Sequence, residues 1–144
     1  MNLFWFRRDL RLDDNAGLYH ALKEGKPVLP VFIFDSNILN DLDDKKDRRV
    51  EFIHHYLVKL NEALTTLGSS LLVMYGTPLD VFNRLVEDFS IENVFANHDY
   101  EPYAEERDSE IAAFLKSKNI SFHHFKDHVI FERNEVLKDD ETPY

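Results

Sequence analysis

The sequence contains no cysteine and only four glycines. Without cysteine the chain forms no disulfide and offers no thiolate as a nucleophile or metal ligand. The loops that cradle phosphates need two or three glycines between a strand and the following helix. Gly17 stands alone in the region that follows the first predicted strand. The sequence therefore argues against a P-loop and against the standard dinucleotide-binding fingerprint.

Positive charge is also scarce. The chain has 17 lysines and arginines against 27 aspartates and glutamates, which gives a formal net charge of −10. Contacts with nucleic-acid phosphates and with anionic membranes both require clustered basic residues. This composition indicates that the chain itself binds neither DNA nor a membrane surface.

The sequence also lacks long apolar runs. None approaches the roughly 20 residues that a membrane-spanning helix needs. The opening run Leu3–Phe6 is too short for a signal peptide, and charged residues follow it directly. We therefore expect a cytoplasmic location. The seven histidines do not form a pattern that places them together on one helix face, so we predict no metal site.

Short apolar runs alternate with amphipathic helical patterns along the chain. The clearest helix runs from about Arg48 to Leu67, because its apolar residues recur three and four positions apart. A capping residue followed by proline at Thr77–Pro78 marks another helix start, and Asp13 or Asp14 is expected to cap the first helix. The predicted strands are Leu3–Phe6, Val28–Phe34, Leu71–Tyr75, Asn93–Asn97 and Ile120–Phe125.

This alternation predicts an α/β fold with a parallel sheet covered by helices on both faces. Right-handed crossovers restrict the possibilities to a three-layer, doubly wound, Rossmann-like sheet of five strands, for which we predict the order 3-2-1-4-5. The almost wholly apolar first strand fits the central position. The pattern holds over residues 1–126 and is lost over residues 127–144.

In an open sheet of this kind, ligands bind beyond the carboxyl ends of the strands where the strand order reverses. That crevice lies between strands 1 and 4, where residues 7–11 and 98–101 emerge, with Asp35 at the end of strand 2. The mixture of arginines, carboxylates and aromatic rings suits a flat aromatic or nucleotide-like ligand. Alternatively, the arginines of this segment form ion pairs with neighbouring aspartates; the residues are Arg7, Arg8, Arg11, Asp9, Asp13 and Asp14.

Two segments carry a specific resemblance. Residues 4–15 read FWFRRDLRLDDN, and residues 97–108 read NHDYEPYAEERD. With the later DHVIF and the final ETPY, they resemble, in order, the markers of the N-terminal domain of the DNA photolyase/cryptochrome family. The resemblance covers the whole chain.

The resemblance implies an antenna domain of a deoxyribodipyrimidine photo-lyase, a carbon–carbon lyase that repairs UV-induced pyrimidine dimers with light. Such a domain holds an accessory chromophore of the deazaflavin, flavin or folate type. A larger helical domain, absent from this chain, binds FAD and damaged DNA, and residues 127–144 would begin the linker to it. The chain alone is then inactive. A cryptochrome-type photoreceptor and a stand-alone nucleotide-binding module are the alternatives.

No catalytic residue is implied in this chain, but chromophore contacts are. They are Phe6, Arg7, Arg8, Asp35, Arg48, Asp99 and Glu101. Folate-type members are expected to have a histidine and an Asn–Glu pair where this sequence has Asp43 and Tyr103–Ala104, which disfavours a folate. Trp5 is expected in the core, and Arg107 with Asp108 is expected to form an ion pair or an interdomain contact.

Overall fold

The computed structural model describes residues 1–39, 48–99 and 102–125. Strands and helices alternate through these ranges almost without exception. The elements are β1 (Asn2–Phe6), α1 (Ala16–Lys23), β2 (Val28–Asp35), α2 (Ser36–Leu39), α3 (Arg48–Thr66), β3 (Leu72–Gly76), α4 (Pro78–Asp88), β4 (Asn93–Asn97), α5 (Pro102–Ser117) and β5 (Ser121–Phe125). In these ranges no helix has both the length and the apolar character needed to cross a bilayer.

The five strands form one parallel sheet in the order β3-β2-β1-β4-β5. The predicted order is therefore confirmed. β1 occupies the centre and is buried along its whole length, which explains why its sequence has almost no polar residue.

The pleat of β1 separates two hydrophobic cores, because successive side chains point to opposite faces. Leu3 and Trp5 pack with residues of α4 and α5 on one face. Phe4 and Phe6 pack with residues of α1 and α3 on the other. Each buried side chain of this size contributes roughly 1.5–3 kcal/mol. The three-layer prediction is confirmed, and so is the burial of Trp5.

Helix ends match the sequence signals in part. Thr77 caps α4 by accepting a hydrogen bond from the amide of Asp80, as predicted. The cap of α1 is Asn15 and not Asp13 or Asp14; Asp14 lies one residue earlier with a φ of 49°. α3 ends at Thr66, one residue before the predicted end at about Leu67, and Leu67 is 73% exposed.

Gly17 is required by the close approach of α1 to the sheet. A Cβ atom at this position would lie 2.8 Å from both Asn97 Oδ1 and Phe4 Cε2. Its backbone amide donates a hydrogen bond of 2.8 Å to Asn97 Oδ1. The single glycine of this region therefore serves helix–sheet packing, which agrees with the absence of a phosphate loop.

We expect Gly17→Ala to destabilise the fold by about 1–3 kcal/mol, the usual cost of overpacking, although glycine-to-alanine changes within helices normally stabilise. Gly25→Ala is the matched control, since a Cβ there meets open space and its cost comes only from the left-handed backbone. Chemical denaturation of the three proteins measures the difference. A stabilised Gly17→Ala protein would show that the approach is not tight.

Candidate functional site

The sheet opens between β1 and β4 at their carboxyl ends. β1 pairs with β2 as far as Phe6, but its pairing with β4 stops at Phe4 and Phe95. Both strands continue for two more residues. The gap lies where the strand order reverses, which is the position at which ligands bind in doubly wound sheets.

The side chain of Arg7 fills the inner part of this gap and is only 4% exposed. Its Nη1 atom donates to both carboxylate oxygens of Asp108, at 2.6 and 2.5 Å, and its Nη2 atom donates to the carbonyl oxygen of Asn97. The guanidinium carbon lies 5.0 Å from the centre of the Trp5 ring. Burial lowers the pKa of Arg7, and the adjacent Asp108 carboxylate opposes that shift. Arg7 thus joins β1, β4 and α5.

A buried polar network supports the loop that follows β1. Asp9 accepts a hydrogen bond of 2.9 Å from the Arg7 amide. Asn97 Nδ2 donates to Asp9 Oδ2 at 2.6 Å and to Asn15 Oδ1 at 2.7 Å. The same Asn15 oxygen accepts from the Leu18 amide at the start of α1. Asn97 therefore fixes the loop and the first turn of α1 against the end of β4.

Carboxylates and guanidinium groups alternate outward from Arg7. Asp108 also contacts Arg107 Nε at 3.2 Å and His124 Nε2 at 3.5 Å. Burial would raise the pKa of Asp108, but the His124 hydrogen bond and the two arginines outweigh burial and lower it to about 2. Asp99 lies 3.5 Å from Arg107 Nη2 and 4.0 Å from Arg8 Nε. The predicted pairing of Arg107 with Asp108 is confirmed.

A second group of polar side chains lies at the end of β2. The Tyr103 hydroxyl, on the first turn of α5, donates a hydrogen bond of 2.6 Å to Asp35 Oδ2. Asn37 donates its amide N–H to Asp35 Oδ1 at 2.9 Å and its side-chain N–H to the Tyr103 oxygen at 3.2 Å. Burial raises the pKa of Tyr103, and the Asp35 hydrogen bond raises it further.

The structure brings most of the predicted site residues to one end of the sheet. Phe6, Arg7 and Asp35 are buried there. The side chain of Asp99 is 7% exposed, and that of Arg8 is 63% exposed at the rim. The side chain of Arg48, as well as Glu101, Asp43 and residues 127–144, lies outside the described part of the structure.

The alternative of local ion pairs is wrong for Arg7. Its carboxylate partner is Asp108, 101 positions away, because the side chain turns into the gap beneath α5 instead of remaining in its own loop. Arg11 Nη2 donates to the carbonyl oxygen of Asp14. Asn37, Tyr103 and His124 also belong to the site, although none of them was predicted there from the sequence. Only the positions of Tyr103 and His124 near element ends of the predicted sheet could have indicated them.

Comparison with known proteins gives a consistent result. A family model described as DNA photolyase matches residues 2–144. A deoxyribodipyrimidine photo-lyase of Synechococcus sp. is 34% identical over 99% of this chain and 29% of its own length. Cryptochrome-1 of Anopheles gambiae is 30% identical over 95% of this chain and 26% of its own length.

Solved structures agree in fold. The archaeal photolyase from Sulfolobus tokodaii, reported with two FAD molecules and the implication of a novel light-harvesting cofactor, has a TM-score of 0.82 at 33% identity; the match covers 92% of this chain and 32% of that one. A class III photolyase from Agrobacterium tumefaciens has a TM-score of 0.82 at 25% identity, over 99% of this chain and 29% of that one. The chain spans about 30% of the length of these proteins.

We expect Asp108→Asn to cost about 3 kcal/mol at neutral pH, since it leaves the buried Arg7 without its counter-charge. The pKa of Asp108 is lowered in the folded state to about 2, from 3.8. The stabilisation from its charge is therefore complete above pH 4 and is lost as the pH falls towards 2, a difference of about 2 kcal/mol.

Urea denaturation at several pH values between 7 and 2.5 measures this effect. The difference in unfolding free energy between the original protein and Asp108→Asn should narrow as the pH falls. Asp88→Asn, an exposed change on α4, should differ little from the original protein at neutral pH. A gap that stays constant over the whole pH range would contradict a role for the Asp108 charge.

Proposed function

Because the chain belongs to the DNA photolyase family, we propose that it is the light-harvesting domain of a deoxyribodipyrimidine photo-lyase, with its chromophore in the crevice between β1 and β4. The observation that carries this proposal is the interrupted pairing of β1 and β4 at their carboxyl ends, edged by Asp99, Arg8 and Arg107. In this reading, residues 1–126 are the antenna domain and residues 127–144 begin the linker.

The polar groups of the crevice fit a deazaflavin or a flavin. Such ring systems carry N–H donors and carbonyl acceptors around a flat aromatic body. Asp99 supplies a carboxylate acceptor at the edge of the gap, and Arg8 supplies an exposed guanidinium donor. Tyr103 adds a partly exposed aromatic ring within 6.0 Å of Arg107. When bound, the chromophore supplies absorption of near-UV or blue light and passes the excitation energy onward.

The residues of this chain then have separate tasks. Asp99 would accept a hydrogen bond from a ring N–H, and Arg8 would donate to a carbonyl oxygen at the rim. Arg107 holds Asp99 in place through the contact at 3.5 Å. Arg7 keeps β4 and α5 at a fixed separation from β1. Phe6, Asp35, Arg48 and Glu101 remain predicted contacts.

The rest of the enzyme would lie in a C-terminal helical domain. The photo-lyases of Synechococcus sp. and Halobacterium salinarum are about three times as long as this chain, as their coverage of 29–31% indicates. We propose that this second domain binds FAD and the damaged DNA, so that the net charge of −10 on the present chain does not oppose DNA binding. A cytoplasmic location is part of the same proposal.

A blue-light photoreceptor of the cryptochrome type is the second candidate function. It is favoured by the match to cryptochrome-1 of Anopheles gambiae, which is 30% identical over 95% of this chain. Photolyases and cryptochromes both match this chain, so the distinction depends on the chemistry of the complete protein.

A repair assay separates the two candidates. The protein comprising this chain and its helical domain is incubated with UV-irradiated oligonucleotide under blue light and in the dark. We expect pyrimidine dimers to disappear only in the light, and we expect the 144-residue chain alone to repair none. Light-induced flavin reduction without any loss of dimers would favour the photoreceptor and contradict the lyase.

The chromophore site is tested by Asp99→Ala in the 144-residue chain. Loss of a hydrogen bond to a charged group should weaken binding about 10- to 100-fold. The probes are FMN, FAD and 5-deazariboflavin, each followed by quenching of the emission of Trp5, which is the only tryptophan. Glu105→Ala removes an equal charge from an exposed position on α5 and should bind as the original does. Equal affinities for the original and Asp99→Ala would contradict the assignment of Asp99.

A further inference from the structure

The hydrogen bond between Tyr103 and Asp35 joins two elements that are not neighbours in the sheet. Asp35 is the last residue of β2, and Tyr103 belongs to the helix that follows β4. β1 lies between those two strands. The phenol–carboxylate bond of 2.6 Å therefore passes across the carboxyl end of β1, directly beside the gap between β1 and β4.

The bond lies on the same face of the sheet as Trp5 and Arg107. Ile33 belongs to the core that contains Trp5, and Asp35 follows Ile33 by two residues on the same strand, so both side chains point to that face. The Arg107 guanidinium lies 5.0 Å from the Trp5 ring and 6.0 Å from the Tyr103 ring. Tyr103 thus borders the side chain that holds Asp99.

The hydrogen bond between Tyr103 and Asp35 is strong, but it lies at a partly exposed position. The acceptor is a carboxylate, which makes a stronger hydrogen bond than a neutral group does. The raised pKa of Tyr103 keeps its hydroxyl protonated at neutral pH. However, the residue is 37% exposed and belongs to neither hydrophobic core, so core packing does not hold its ring in place.

We propose that Tyr103 is a latch for the chromophore site: bonded to Asp35, it closes the β2 side of the crevice and limits how fast a flat ligand enters and leaves. This inference rests on the proposed function, because it assumes that the crevice holds a chromophore. It assigns to Tyr103 a positioning role in addition to the contacts proposed for Asp99 and Arg8.

Tyr103→Phe tests the latch, since it keeps the ring and removes only the hydroxyl. Association and dissociation of the tightest-binding probe among FMN, FAD and 5-deazariboflavin are followed by stopped-flow measurement of Trp5 emission in the 144-residue chain. We expect both rate constants to rise about tenfold, the effect of one charge-assisted hydrogen bond. The equilibrium affinity should change much less, whereas loss of a direct ligand contact would raise the dissociation rate alone.

Two controls accompany this variant. Tyr19→Phe changes an exposed tyrosine on α1 and should leave both rates unchanged. Asp35→Asn retains an oxygen acceptor but removes the charge, so its rates should lie between those of the original and Tyr103→Phe. If Tyr103→Phe exchanges the probe as slowly as the original, the latch is wrong and the proposed function stands. If none of the three probes binds the original protein, the proposed chromophore site and the latch both fail.

Hydrogen exchange tests the latch without any ligand. The amide of Asn37 donates to Asp35 Oδ1 at 2.9 Å, and Tyr103 holds the other oxygen of the same carboxylate. We expect this amide to exchange about tenfold faster in Tyr103→Phe than in the original, and at the original rate in Tyr19→Phe. An unchanged rate in Tyr103→Phe would show that Tyr103 does not hold Asp35, which would overturn the latch.

Discussion

The buried ion pair between Arg7 and Asp108 is the interaction on which the rest of the site depends. It fills a place where the sheet has lost its backbone pairing, since β1 and β4 separate beyond Phe4 and Phe95. Arg7 donates a hydrogen bond to the Asn97 carbonyl oxygen at the end of β4. A buried charge is costly unless it is paired and hydrogen-bonded. Here the carboxylate and the carbonyl pair both terminal nitrogens of Arg7, and the Trp5 ring packs near its guanidinium. The Nε atom of Arg7 is buried without a hydrogen-bond partner among the described residues.

In this site the buried side chains that support the fold are distinct from the exposed side chains that can contact a ligand. The inner residues Arg7, Asp9 and Asn97 are buried and hold strands and helices together. The outer residues Arg8 and Tyr103 are exposed to solvent and can meet a ligand. This division agrees with the general requirement that a binding site be supported by side chains whose own positions are fixed. Asp99 lies at the boundary, with an arginine on each side.

The sequence predicted the fold well because apolar periodicity reports burial directly. The alternation of helical patterns with five apolar runs predicted the strand order, and the strand order predicted the location of the crevice. The individual partners could not be predicted in the same way. Arg7 stands beside three nearby aspartates in the sequence, and local charge pairing therefore favoured those. Its partner Asp108 becomes evident only when α5 is placed on the sheet.

The 101 positions between Arg7 and Asp108 also connect the site to the folding of the chain. Contacts between residues so far apart require the intervening chain to close a long loop, which costs conformational entropy and slows folding. The crevice therefore cannot exist in a chain that has folded only as far as β3. A ligand that requires this crevice binds the completed domain and not its partly folded forms, and it draws the population towards the native state by mass action. A domain with ligand bound in the crevice is therefore a domain that has folded completely.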